Sequence, residues 1–165
     1  MPIHEFTVER WSVVSPKPFA EVVAAIDAVI GHPDMREFAS KVGAASGWQQ
    51  LEEVIHTFIG PSGFMEFTRF NMGVILSKAQ GASAPKIVRI VLGNPLVMKQ
   101  MAEHVHDAAS YAPVTVLIDE RADGVHISYD KMASFLTPYG NQQALTIAHD
   151  LDHKIVKLLN DASVE

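Results

Sequence analysis

Apolar residues recur along the chain with two periods, and the switches between them predict the elements. Phe6 to Val14 is rich in β-branched and aromatic residues and stops at Ser15-Pro16, which predicts a first strand. Phe19, Val22, Val23, Ile26, Val29 and Ile30 follow at helical spacing, with Gly31 as the stop. Two shorter helical stripes come next. Met35, Phe38 and Val42 form one, ending near Gly43; Trp48, Leu51, Val54, Ile55, Phe58 and Ile59 form another, closed by Gly60-Pro61. Phe64 to Ser77 reads as one or two strands broken at Asn71-Met72-Gly73, and residues 79–85 read as a loop.

Lys86 to Leu92 gives the strongest strand signal. Val88, Ile90 and Leu92 share one face while Ile87 and Val91 share the other, which predicts burial on both sides. A helix over 95–110 follows, with Val97, Met101, Val105 and Ala108 on its inner stripe. Val114 to Asp119 and Val125 to Asp130 alternate across Arg121-Ala122-Asp123-Gly124 and predict a hairpin. A last helix covers about 140–160. One strand-helix-strand crossover is expected, but strands and helices do not alternate strictly. The pattern therefore predicts an α+β fold, a mainly antiparallel sheet covered by helices, in one domain over 1–165.

Composition narrows the chemistry. The chain has no cysteine, which excludes disulfides, thiolate nucleophiles and cysteine-ligated metal sites. A net charge of −6 with no Lys/Arg run argues against a nucleic-acid partner. The most apolar segment, Phe19 to Ile30, contains Glu21 and Asp27 and is too short to span a bilayer, so no membrane partner is expected. Met1-Pro2-Ile3-His4-Glu5 lacks the basic start and apolar core of a secretory leader, and a cytoplasmic location is the expectation.

Candidate site residues concentrate around one turn. In Gly93-Asn94-Pro95 the asparagine is a helix N-cap, the proline suits the first helical position, and the glycine permits a sharp exit from the strand. The turn either caps its own helix or offers N–H groups to an anion. Arg89, in the strand leading into the turn, needs a carboxylate such as Glu66, a ligand anion or the sheet edge. Met98, Met101 and His104 lie on the helix that leaves it. His149 and His153 are spaced i, i+4 on the last helix, with Asp150 and Asp152 beside them, as two metal ligands would be. No glutamate stands between them as general base, and a solvated polar face is the preferred reading of the pair. His126, Ser128 and Asp130 share one strand face but cannot form the ordered relay of serine catalysis. No motif identifies a cofactor.

The ordered set Val91-Leu92-Gly93-Asn94-Pro95, a helix, Tyr111-Ala112-Pro113-Val114-Thr115-Val116-Leu117, and Asp123-Gly124-Val125-His126-Ile127-Ser128-Tyr129-Asp130 resembles the bacterial family called domain of unknown function 302. That family's pattern has a strand ending in Gly-Asn-Pro, a helix, a Leu-Pro-led strand and a closing strand with a Ser-Tyr pair. The resemblance is clear over residues 86–136. It implies a fold similar to that of the TATA-box-binding protein and association as dimers, and it implies no activity. The chain departs from the family in Ala112, where leucine is common, in its long last helix and in an extra helical insertion at about 33–60.

Three functions follow as expectations. The first is a homodimer with a small, partly apolar ligand as partner, bound by Arg89, Gly93, Asn94, Met98, Met101 and His104. The second is an enzyme, either metal-assisted through His149 and His153 or acid–base through His104 or His126. The third is an interaction module that docks through the helices at 33–59.

Overall fold

The structure is a computed structural model that describes residues 3–164; the leader reading above involves Met1 and Pro2, which lie outside them. Five strands form one sheet: β1 (Arg10–Ser15), β2 (Met65–Asn71), β3 (Ile87–Gly93), β4 (Val114–Arg121) and β5 (Gly124–Asp130). Their order is β1-β5-β4-β3-β2, and every neighbouring pair is antiparallel. The helices are α1 (Phe19–Asp27), α2 (Met35–Ala44), α3 (Trp48–His56), α4 (Gly73–Gln80), α5 (Pro95–Ala102), α6 (Ala108–Tyr111), α7 (Met132–Leu136) and α8 (Gln142–Ser163). The fold is thus the expected α+β arrangement of an antiparallel sheet with helices on it. No helix among the described residues is long and apolar enough to cross a membrane.

Alternation sorts the sheet into two faces. Val88, Ile90, Leu92, Val116, Ile118, Val125, Ile127 and Tyr129 are buried beneath α1 and α8. On the other face Ser12, Ser128, Leu117, Arg89 and Phe70 are register neighbours in one row across all five strands. That row is only partly covered, so β3 is buried on one side, not on both as its sequence suggests. Ile87 and Val91 gain half-burial from neighbouring strands, which is enough for an open antiparallel face.

Several boundaries differ from the sequence expectation, each for a local reason. β1 begins at Arg10, because its partner β5 ends opposite at Asp130 and residues before Arg10 have no strand to pair with. The segment after Gly73 is helix α4, not a second strand; β2 runs out of register partners at Asn71, opposite Val88. Val74 and Ile75 of α4 are exposed, so their apolar character reported no burial. The helix over 95–110 is cut at Ala102, where the N–H groups of His104 and Val105 both donate to the Met101 carbonyl. Because β3 and β4 are antiparallel neighbours, α5 and α6 form an excursion between them and not a parallel crossover.

Backbone contact fixes the start of β2. The Phe64 carbonyl accepts N–H bonds from both Gly31 and Gly60, at 2.8 Å each. The two glycines pass so closely that a Cβ on Gly31 would lie 1.9 Å from the Phe58 carbonyl oxygen. No other residue fits there.

The longest helix is anchored at three points. Asn141 Oδ1 accepts from the Ala144 N–H at its start. At its end Ser15 Oγ donates to the Ser163 carbonyl, and Lys17 Nζ donates to the carbonyls of Ala162 and Val164. In its middle the buried Asp152 carboxylate accepts from Tyr129 Oη (2.6 Å), the Met132 N–H (2.7 Å) and the Ala133 N–H (3.0 Å). Burial and the neighbouring Asp152 charge push the Tyr129 hydroxyl far above its ordinary pKa, so it stays a donor. Asp152→Ala would leave the Tyr129 hydroxyl and the Ala133 N–H without their acceptor, and the Met132 N–H with only its longer 3.3 Å bond to Tyr129 Oη. We expect a loss of about 3 kcal/mol, with Tyr129→Phe costing clearly less. Urea denaturation checks this; a loss below about 1 kcal/mol for Asp152→Ala would contradict the assigned role.

Candidate functional site

The turn from β3 into α5 lies on the wall of a cavity of about 410 Å³. Asn94 holds the turn: its Oδ1 accepts from the Leu96 N–H at 2.8 Å, and its Nδ2 donates to the Gly63 carbonyl at 2.9 Å. Pro95 occupies the first helical position. Leu96, Val97, Met98 and Met101 of α5 then form one wall, with Gly93, Ala112, Pro113 and Val114 beside them. Leu151 from α8 and Ile55 from α3 add to it. Phe38 and Val42 of α2, and Trp48 and Leu51 of α3, complete the lining.

A β-bulge contributes Phe67. The β2–β3 register slips between Glu66 and Thr68, so Phe67 has no partner on β3. Its ring meets Phe38 edge-on at 6.3 Å and faces the cavity. Phe38 also packs edge-on against Phe58 at 5.3 Å. Those contacts hold α2, which buries no residue of its own. Apart from the Trp48 indole N–H, the polar side chains in the lining are Asn94 and Lys99. Lys99 is at the rim, with Nζ 4.8 Å from the Trp48 ring and paired with Glu103. The lining therefore suits apolar matter, and Asn94 acts as a structural cap with both polar atoms engaged.

Of the residues singled out from sequence, Gly93, Asn94, Met98 and Met101 line this cavity; Arg89 and His104 do not. Arg89 is exposed on the opposite sheet face, 5.1 Å from the Phe70 ring. Its expected partner Glu66 is engaged by Arg69 instead. His104 lies beyond the end of α5, beside His106, Asp107 and Tyr139 around a shallow surface depression. His149 and His153 are exposed on α8; Asp150 pairs with Lys154, and Asp152 turns inward. His126 bonds Asp123 at 2.8 Å.

Sequence spacing gave no sign of a polar cluster between α1 and β2. Asp27, His32 and Glu66 bring one ligand atom each within 4.8 Å of one another. Arg69 already occupies both carboxylates: Nη1 donates to Asp27 at 3.2 Å and Nη2 to Glu66 at 2.6 Å. The hydrogen bonds it donates to Asp27, then Glu66, hold the Arg69 guanidinium above its ordinary pKa despite partial burial. His32 completes the group, Nδ1 lying 3.4 Å from Glu66 Oε2. With the guanidinium bridging both carboxylates, the arrangement is a clasp joining α1 to β2, and a metal would have to displace Arg69.

The chain belongs to a family of proteins whose shared feature is this domain. The family is the Domain of unknown function DUF302, and its model matches residues 40–162, a span that includes α3 and the second half of α2. No curated protein matches the chain. Among solved structures, an uncharacterized conserved DUF302 protein from Bacillus stearothermophilus is similar, with a TM-score of 0.64 and 12% identity. The match covers 93% of this chain and 97% of that one. At that identity the likeness speaks for the fold alone.

Removing the cation from the clasp gives a pH-dependent test. In Arg69→Leu the Asp27 and Glu66 carboxylates face each other without the guanidinium between them, and their repulsion opposes folding while both are charged. The folded state then binds protons more tightly, and the penalty is present at neutral pH and relieved as pH falls. We expect a loss of about 2 kcal/mol at pH 7, discounted for partial exposure, shrinking towards pH 4. A difference from the parent that stays constant across that range in denaturation experiments would rule the account out.

Proposed function

We propose that this protein is a homodimeric binding protein for a small, largely apolar ligand, held in the cavity beside the Gly93-Asn94-Pro95 turn. The observation that carries the reading is the lining itself. A cavity of about 410 Å³ falls in the size range of small-molecule sites, and its walls are aliphatic, aromatic and methionine side chains. Met98 and Met101 can adapt to irregular shapes. The wall formed by α2 and α3 is loosely attached, burying only Ile55 between the two helices, which favours entry of a ligand at Trp48.

The neutral fluorophore N-phenylnaphthylamine tests this reading. Saturable binding with enhanced emission is expected, together with quenching of Trp48. Leu51→Trp should fill the cavity and abolish binding while the melting temperature is held or raised. Lack of saturable binding, or undiminished binding by a folded Leu51→Trp variant, would overturn the proposal.

Self-association is supported by a run of exposed apolar residues, Phe70, Met72, Val74 and Ile75, along edge strand β2 and helix α4. Light scattering should return twice the chain mass for the parent protein and the chain mass for the double variant Val74→Glu with Ile75→Glu. A monomeric parent would remove the dimer from the proposal and leave the cavity reading intact.

A further inference from the structure

The sheet face that lacks α1 and α8 holds a second recess, also about 410 Å³, whose chemistry differs from that of the apolar cavity. Its floor includes Arg89 and Leu117, paired across β3 and β4, with the Ser128 hydroxyl next to Leu117 on β5. Its end is walled by Tyr111 and Phe135, whose rings stack at 4.8 Å with planes 17° apart.

Two guanidinium groups line the recess, and their situations differ. Arg10 is committed to Asp130, donating from Nε at 2.6 Å and from Nη2 at 2.9 Å to the two carboxylate oxygens. That pairing uses the acid in the lining and holds its carboxyl below the usual range. Arg89 has no carboxylate within ion-pair distance among the described residues. Its cross-strand neighbours are Leu117 and Phe70, both apolar. The Phe70 ring under the guanidinium steadies the side chain without neutralising it.

A chain of net charge −6 has acids to spare, yet this arginine, fixed in an inner strand of the sheet, is given none. A planar fork of donors beside the Leu117 side chain and an aromatic wall is complementary to one kind of molecule. We infer that the recess binds a small aromatic carboxylate. Its carboxylate is taken by the Arg89 guanidinium, and its flat body lies over Leu117 towards the Tyr111–Phe135 stack. This site is independent of the apolar cavity, which lies on the other side of the Pro113–Val114 segment that both share.

Naphthoate, measured by titration calorimetry against the whole chain, tests the inference. One equivalent should bind saturably, and naphthylmethanol, which lacks the charge, should bind at least tenfold more weakly. Arg89→Leu should weaken naphthoate at least tenfold while leaving N-phenylnaphthylamine binding unchanged. Leu117→Glu should have the same effect by supplying Arg89 with an internal carboxylate. The cavity-filled Leu51→Trp protein should bind naphthoate as the parent does. Naphthoate binding that survives both Arg89→Leu and Leu117→Glu would overturn the assignment. So would loss of that binding in Leu51→Trp, or displacement by inorganic phosphate at equal concentration. Because both substitutions are at positions outside the buried core, far-ultraviolet circular dichroism should match the parent.

Discussion

Asp152 is the point at which the long last helix is locked to β5 and α7. A carboxylate buried to 5% exposure can persist only if its oxygens are fully engaged. Here the donors come from β5, through Tyr129, and from the first turn of α7, through the backbone of Met132 and Ala133. This bonding makes the angle between α8 and the sheet a matter of directed geometry, where apolar packing alone would allow sliding. The rest follows from it. With α8 fixed, Leu151, one residue before the carboxylate, is set into the cavity wall, and the end of α8 is brought to Ser15 and Lys17. The strand β1, at the edge of the sheet, is thereby tied to the last turn of the last helix.

That rigid frame divides one sheet into two chemical environments. The helix-covered face leaves an apolar cavity where α2 and α3 meet α5, and the open face keeps a polar recess with a guanidinium in it. Pro113 and Val114 line both, so the entrance to β4 is the partition between them. The polarity difference follows from strand alternation: Ile90 and Leu92 point one way along β3 while Arg89 points the other.

Much of this frame was legible in the sequence, and the parts that were not share a cause. The strands β3, β4 and β5, the hairpin and the long last helix carry periodic patterns that burial on one face imposes, so they could be read. The cap at Asn94 was legible because capping is local chemistry between neighbours in sequence. The clasp of Asp27, His32, Glu66 and Arg69 was not, since it joins residues 42 positions apart and no local rule links them. Sequence spacing puts Asp152 beside His149 and His153; its inward aim depends on which helix face meets β5, which polar spacing alone does not reveal. Helix α4 was misread because its apolar residues are exposed, so their pattern records no core. Arg89 is exposed and needs no internal partner; its nearness in sequence to the turn hides the alternation that sends it to the opposite face from the cavity.

The weak packing of α2 and α3 can be set against the size of the cavity they border. A sealed, dry apolar cavity costs roughly 24 cal/mol per Å³, so 410 Å³ would cost on the order of 10 kcal/mol, comparable with the whole stability of an ordinary domain. A fold of this size cannot sustain that. The chain avoids it by leaving one wall attached through a few aromatic contacts, Phe38 to Phe58 and Phe67, with Trp48 half-exposed at the rim. Tighter packing of α2 would either seal the cavity at that cost or collapse it onto Met98 and Met101. The loosely held helix pair is therefore the physical condition under which a cavity of this volume can exist beside a sheet held rigid by Asp152.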